Sequence, residues 1–181
     1  NCRDIGGIPT RSGNIVKQGN IIRTGNADSI SEEGIKAMRE LGVKSELDLR
    51  SEASLSSSPL GKDISYFNYK MYYDDYSNYI ERNCESVVNS LRVFANEENY
   101  PIFYHCRIGT DRTGLLTYLL LGLLGAYEED IYRDYLFSNF GVIENTRTLH
   151  GSGVNNVQLY YEAIDAFPGG TLQERVYNFL V

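Results

Sequence analysis

Cysteine and histidine are scarce in this chain of 181 residues, which has three of the first and two of the second. Cys2, Cys84 and Cys106 are odd in number and lack close pairing, so no disulfide framework is implied. With only His105 and His150 and no Cys-x-x-Cys, a metal site is not expected, and no cofactor is implied. Proline is rare too, at four residues, and 42% of the chain is hydrophobic, which argues against disorder. Basic residues number 17 against 24 acidic ones, a net charge of −7 that disfavours nucleic acid or an anionic membrane as partner. The most apolar run, Leu115–Ala126, includes Thr117 and Tyr118 and falls short of the ~20 residues a bilayer requires. It reads as a buried core helix. There is no repeat, and the only low-complexity stretch is a Ser-rich turn, Ser54–Pro59. A single domain over residues 1–181 is expected. The chain lacks an initial methionine and ends within an apparent helix. Truncation at both ends, and a soluble domain either cytoplasmic or exported after removal of a leader, therefore stay open. Nothing in the sequence specifies an oligomeric state.

What is present is a compact chemical motif, His105-Cys106-Arg107-Ile108-Gly109-Thr110-Asp111-Arg112-Thr113-Gly114. Before it, Tyr100-Pro101-Ile102-Phe103-Tyr104-His105 reads as a buried strand. From Thr113 onward the Leu-rich run reads as a helix. A loop that feeds a helix N-terminus carries unpaired N–H donors and the positive end of the helix dipole, so it binds anions. A cysteine and an arginine six positions apart, with a glycine between them, let such a loop curl around one tetrahedral anion. The same field favours a thiolate: a free cysteine titrates near ~8.5, and such settings lower that to roughly 3.5–7.5. The chemistry implied is removal of a phosphoryl group through a cysteine nucleophile.

The remainder alternates strands and helices. Strands are expected at Asn20–Arg23, at Val43–Leu49 (half-buried, from its alternation) and at Ile64–Lys70. Helices are expected at Ser31–Leu41, with a Ser29…Glu32 capping box and Gly42 as its stop, and at Tyr76–Glu98. Further helices are expected near Glu128–Asn139, Asn155–Phe167 and Thr171–Val181, the last opened by a Thr171…Glu174 capping box. That order means an α/β domain, a mostly parallel twisted sheet flanked by helices, with the site at the carboxyl ends of the strands.

The loop resembles the His-Cys-x5-Arg-Ser/Thr signature of the cysteine-dependent protein tyrosine phosphatase superfamily. Further motifs resemble one bacterial branch, the tyrosine and dual-specificity phosphatases related to secreted mycobacterial enzymes. They are Asn1-Cys2-Arg3-Asp4-Ile5-Gly6-Gly7, Arg23-Thr24-Gly25, Asp48-Leu49-Arg50-Ser51, and Asp134-Tyr135-Leu136-Phe137-Ser138-Asn139. Thr110 departs from the branch, which has lysine there. The missing cation weakens the case for highly charged substrates such as polyphosphorylated inositides.

Cys106 is the expected nucleophile, and Arg112 the bidentate clamp on the phosphoryl oxygens. Arg107, Ile108, Gly109, Thr110 and Asp111 complete the phosphate-binding loop, with Arg107 and Thr110 at its rim. Thr113 can donate to the departing sulfur, and His105 is expected to orient the loop and tune the thiolate rather than exchange protons with substrate. The resemblance implies two sources for the general acid. Asp74 and Asp75 lie about where most of the superfamily places it, and Asp111 lies where the branch does. Asp48 and Arg50, on one face of a strand, suggest an ion pair beneath the loop, while Arg23 and Asp4 suggest structural roles. Tyr66, Tyr69, Tyr72, Tyr73, Tyr76 and Tyr79 could wall a phenyl ring or simply pack the core. The partner expected is a phosphorylated protein or peptide carrying phosphotyrosine, or a small phosphomonoester. A phosphoinositide or inositol phosphate phosphatase and a non-catalytic phosphate-binding module stand as alternatives, with a persulfide-based sulfur-transfer enzyme behind them.

Overall fold

The computed structural model describes residues 1–52, 56–73, 79–151 and 156–181. Five strands form one sheet: β1 (Arg3–Asp4), β2 (Ile21–Thr24), β3 (Ser45–Arg50), β4 (Ser65–Met71) and β5 (Ile102–His105). Their order is β1-β2-β5-β3-β4, with β1 antiparallel and every other pairing parallel. One face is covered by α1 (Glu32–Glu40), whose Met38 packs with Ile22, Val43, Ile64 and Phe103. The opposite face carries the larger core, built against α3 (Cys84–Ala95), α4 (Asp111–Leu123), α5 (Glu128–Phe137), α6 (Gln158–Asp165) and α7 (Leu172–Leu180). Among the described residues, no helix is long and apolar enough to cross a membrane.

At the centre is α4, buried on every side because it lies between the sheet and the other helices. Leu115, Leu116, Leu119 and Leu121 are fully buried, each contributing roughly 1.5–3 kcal/mol. The helix begins at Asp111, two residues before the expected start, so Arg112 and Thr113 lie in its first turn.

Three sequence expectations need correction. The half-buried strand is buried throughout: β3 lies between β5 and β4, and its polar residues are covered along with its apolar ones. The Ser29…Glu32 capping box does not form, because Ser31 is the N-cap of α1 and accepts from the Gly34 N–H. The helix expected at Tyr76–Glu98 is divided at Asn83 into α2 (Tyr79–Arg82) and α3. The Asn83 amide bonds both the N–H and the carbonyl of Tyr72, tying the helix start to the end of β4. The Thr171–Glu174 capping box forms as expected at α7.

Candidate active site

The loop from Cys106 to Arg112 joins the end of β5 to the start of α4. Cys106 is buried in the larger apolar cluster, while the side chain of His105 lies on the α1 face, stacked on Phe103. Three successive loop carbonyls are turned outward. The Arg107 carbonyl accepts from the Asn26 N–H at 3.0 Å, and those of Ile108 and Gly109 accept from the Asn1 side-chain amide at 3.0 and 3.1 Å. The Gly109 carbonyl also accepts from Arg23 Nη2 at 2.9 Å. In a trans peptide the N–H opposes the C=O, so the N–H groups of Ile108, Gly109 and Thr110 face the inside of the loop. None of these three donates to another backbone group among the described residues. Such a turn of converging N–H groups is suited to an anion.

Gly109 makes the curl possible. Its φ is +74°, and a Cβ there would lie 2.3 Å from the Thr24 carbonyl oxygen. The motifs distant in sequence converge on this loop. Arg23 and Arg3 both bond Asp134, and Arg3 also reaches Ser138. Burial works against the Asp134 charge, but the Arg23 and Arg3 guanidinium groups outweigh it and hold its carboxyl below the usual range. Asp4 closes a neighbouring turn, accepting from the N–H groups of Gly6 and Gly19.

Arg112 is buried and donates from both Nη atoms to Glu52, at 2.8 and 2.9 Å. Burial opposes its charge, and Glu52 together with the Cys106 sulfur raises it above the ordinary arginine range. Glu52 is pulled down to about 2, chiefly by its hydrogen bond with Arg112. The Tyr73 ring lies 4.5 Å from the Arg112 guanidinium carbon, so one exposed tyrosine stands beside the site. Tyr72 instead packs under Arg82, Tyr79 is core, and Tyr66 donates to Asp48. The Thr113 hydroxyl is buried with no hydrogen-bond partner among the described residues.

The two rim residues differ. Arg107 is exposed, 3.6 Å from Glu144, whereas Thr110 is buried and donates to Asp111 at 3.0 Å. Thr110 therefore belongs to the inner wall and not to the rim. Asp111 is clamped by Arg147, which donates from Nε at 3.0 Å and from Nη2 at 2.9 Å. Arg147 is itself fixed by Asn139, through its own N–H and carbonyl. Burial disfavours the Arg147 charge, and the Asp111 carboxylate more than restores it. A guanidinium thus reaches the Thr110 hydroxyl, 3.0 Å away, near where the branch carries lysine. Asp74 and Asp75 lie outside the described residues.

Beneath the loop, Asp48 and Arg50 form the expected ion pair at 2.8 Å, and Arg50 extends it to Asp28. His105 contacts Glu46 at 2.9 Å. Ligand-capable atoms of Glu46, Asp48 and His105 lie within 4.8 Å of one another, but both ring nitrogens and the Asp48 carboxylate are already engaged in hydrogen bonds. Sequence reasoning assigned no role to Asn1, Glu46, Glu52 or Arg147. Asn1 opens a recognised motif and Glu52 follows one, whereas Arg147 carries no local signal.

A buried cysteine and arginine on a loop of inward N–H groups, at the carboxyl end of a central parallel strand, are the parts that a cysteine-based phosphatase requires. A family model described as the tyrosine phosphatase family matches residues 1–167, and the chain belongs to that family. No curated protein sequence matches it. Among solved structures it resembles the core catalytic domain of the PP-IP phosphatase Siw14 from S. cerevisiae, with 22% identity and a TM-score of 0.54, over 66% of this chain and 71% of that one. TpbA from P. aeruginosa matches at 15% identity and a TM-score of 0.55, covering 91% of this chain and 90% of its own. PTP-2 of Cydia pomonella matches at 17% identity and a TM-score of 0.51, covering 79% and 84%. These three share its fold.

Proposed function

We propose that this chain, as one phosphatase domain, hydrolyses phosphotyrosine in proteins or peptides through a phosphocysteine on Cys106. The observation that carries the reading is the set of three outward loop carbonyls, which turns the N–H groups of Ile108, Gly109 and Thr110 inward, together with a buried Arg112 whose charge the Cys106 sulfur supports. In the first step the thiolate attacks phosphorus, the P–O bond to the leaving group breaks, and the departing phenoxide takes a proton. In the second, water attacks phosphorus, the S–P bond breaks, and the water proton passes to a base. Arg112 stabilises the equatorial oxygens in both steps once a dianion draws it partly from Glu52. The Thr113 hydroxyl, without a partner among the described residues, is available to the departing sulfur. The Tyr73 ring beside Arg112 favours an aryl substrate.

Asp111 is the acid and base of this scheme. Arg147 and Thr110 engage both of its oxygens, so exchanging a proton with the leaving group or with water requires that clamp to loosen. Asp74 and Asp75 are the alternative donors.

The reading is tested by hydrolysis of p-nitrophenyl phosphate from pH 4.5 to 8 in the presence of a chelator. Turnover that vanishes in Cys106→Ser is expected, and Asp111→Asn should lose the basic limb of the profile and about 10²–10⁴ in rate. An unchanged profile in that variant moves the acid to Asp74 or Asp75. If the parent does not turn over while phosphate still protects Cys106 from alkylation, the chain is a phosphate-binding module. Faster turnover of an inositol phosphate than of a phosphotyrosine peptide would favour the inositol reading.

A further inference from the structure

Glu46 is a fully buried carboxylate in β3, beside the strand that carries the loop, and the proposed chemistry does not use it. A buried carboxylate costs several kcal/mol unless it is paired. Its partner among the described residues is His105, through Oε1, while Oε2 has no hydrogen bond. His105 is also fully buried, and its other nitrogen, Nδ1, lies 3.0 Å from the Cys106 carbonyl. A carbonyl can only accept, so Nδ1 carries a hydrogen. The contact at Nε2 then has two solutions. Either Nε2 donates to a Glu46 carboxylate and the ring is an imidazolium, or a protonated Glu46 donates to a neutral ring.

The surroundings decide between them. Facing the ring are Glu46 and Asp48 from β3, with Asp48 Oδ1 3.9 Å from Nδ1. Arg50 stands beyond, shared between Asp48 and Asp28, so that this trio carries one net negative charge. Tyr66 from β4 donates to Asp48, and the Cys106 sulfur belongs to the next residue. A positive ring meets the negative trio and a Glu46 carboxylate, whereas a neutral pair would leave the trio's charge unopposed, so the proton belongs on the ring.

We propose that Glu46 is a positioning residue that keeps the His105 imidazole protonated on both nitrogens, setting a buried cation one residue before Cys106. The inference rests on Cys106 being the nucleophile. The cation adds to the inward N–H groups and Arg112 in favouring the thiolate, acting from the α1 face of the sheet.

The chain has only two histidines, so ¹⁵N NMR of the imidazoles in the parent protein reads His105 directly, with exposed His150 as reference. Both His105 nitrogens should be protonated across pH 6–8. In Glu46→Gln the pH midpoint for Cys106 alkylation by iodoacetamide should rise by about one unit, a tenfold loss of thiolate below the midpoint. A bare Nε2 in the parent would overturn the proposal, as would an unmoved midpoint in a folded variant. Should the variant not fold, the spectrum of the parent alone decides. Alkylation needs no substrate. A parent without turnover but with a doubly protonated His105 would sink the phosphatase reading and leave the pair standing.

Discussion

Gly109 concentrates two constraints on one residue, a backbone in the left-handed region and a neighbour too close for any Cβ. The first costs an alanine roughly 1–2 kcal/mol. The second cannot be relieved by a rotamer change, because the obstructing atoms are Thr24 and Gly25 backbone. Gly109→Ala must therefore push the loop away from β2, breaking the bonds that Arg23 and Asn1 make to the loop carbonyls. The expected result is destabilisation of about 2–4 kcal/mol by urea unfolding, together with loss of phosphate protection of Cys106 from alkylation. A stable variant with intact protection would show that the outward carbonyls do not set the inward N–H groups. Glu52 acts differently at this scale. Its carboxyl is held at about 2 by Arg112, so in the free enzyme a change in kcat/KM between pH 4.5 and 8 does not originate there.

The elements bring in what single residues cannot, because Asp134 on α5 ties β1 to β2 through Arg3 and Arg23. Removing one partner of a buried pair costs about 3–5 kcal/mol, and Asp134→Asn should lose about that at pH 7. A carboxyl held below its usual range contributes stability that is present above the unfolded value of about 3.9 and lost as pH falls through the folded one. The gap between parent and variant in urea midpoints should therefore narrow below about pH 4. A constant gap would mean that the asparagine acts through packing and not through charge. Apolar spacing made the strands and helices legible, and the loop motif marked the site between β5 and α4. Polar partners were another matter. Alternation in β3 read as half-exposure because Glu46, Asp48 and Arg50 look solvated until their partners are known. Arg147 reaches Asp111 from 36 positions away, and periodicity says nothing about pairing at that range. Asn83 broke an expected helix because its amide binds backbone beyond the helix, a contact that propensity does not report.

Across the whole molecule, a net charge of −7 surrounds the proposed dianion site. The two are compatible because salt screens distant surface charges beyond about 8–10 Å, whereas the inward N–H groups and Arg112 act at contact. Asn1, Arg23 and Asn26 bond the loop carbonyls, and Arg147 holds Asp111, so an anion seated there braces the sheet and the helix layer together. Inorganic phosphate at 100 times its dissociation constant should then stabilise the entire fold by about 2.7 kcal/mol. For a chain of this length that is a rise of roughly 5–10 °C in Tm. Phosphate and sulfate also strengthen folding by exclusion from protein surfaces, so the rise must be measured against Arg112→Ala under identical conditions. Exclusion acts on both proteins alike, whereas occupation of the loop raises only the parent. An equal rise in the two would remove the anion from the loop, and with it the physical basis for phosphoryl transfer at Cys106.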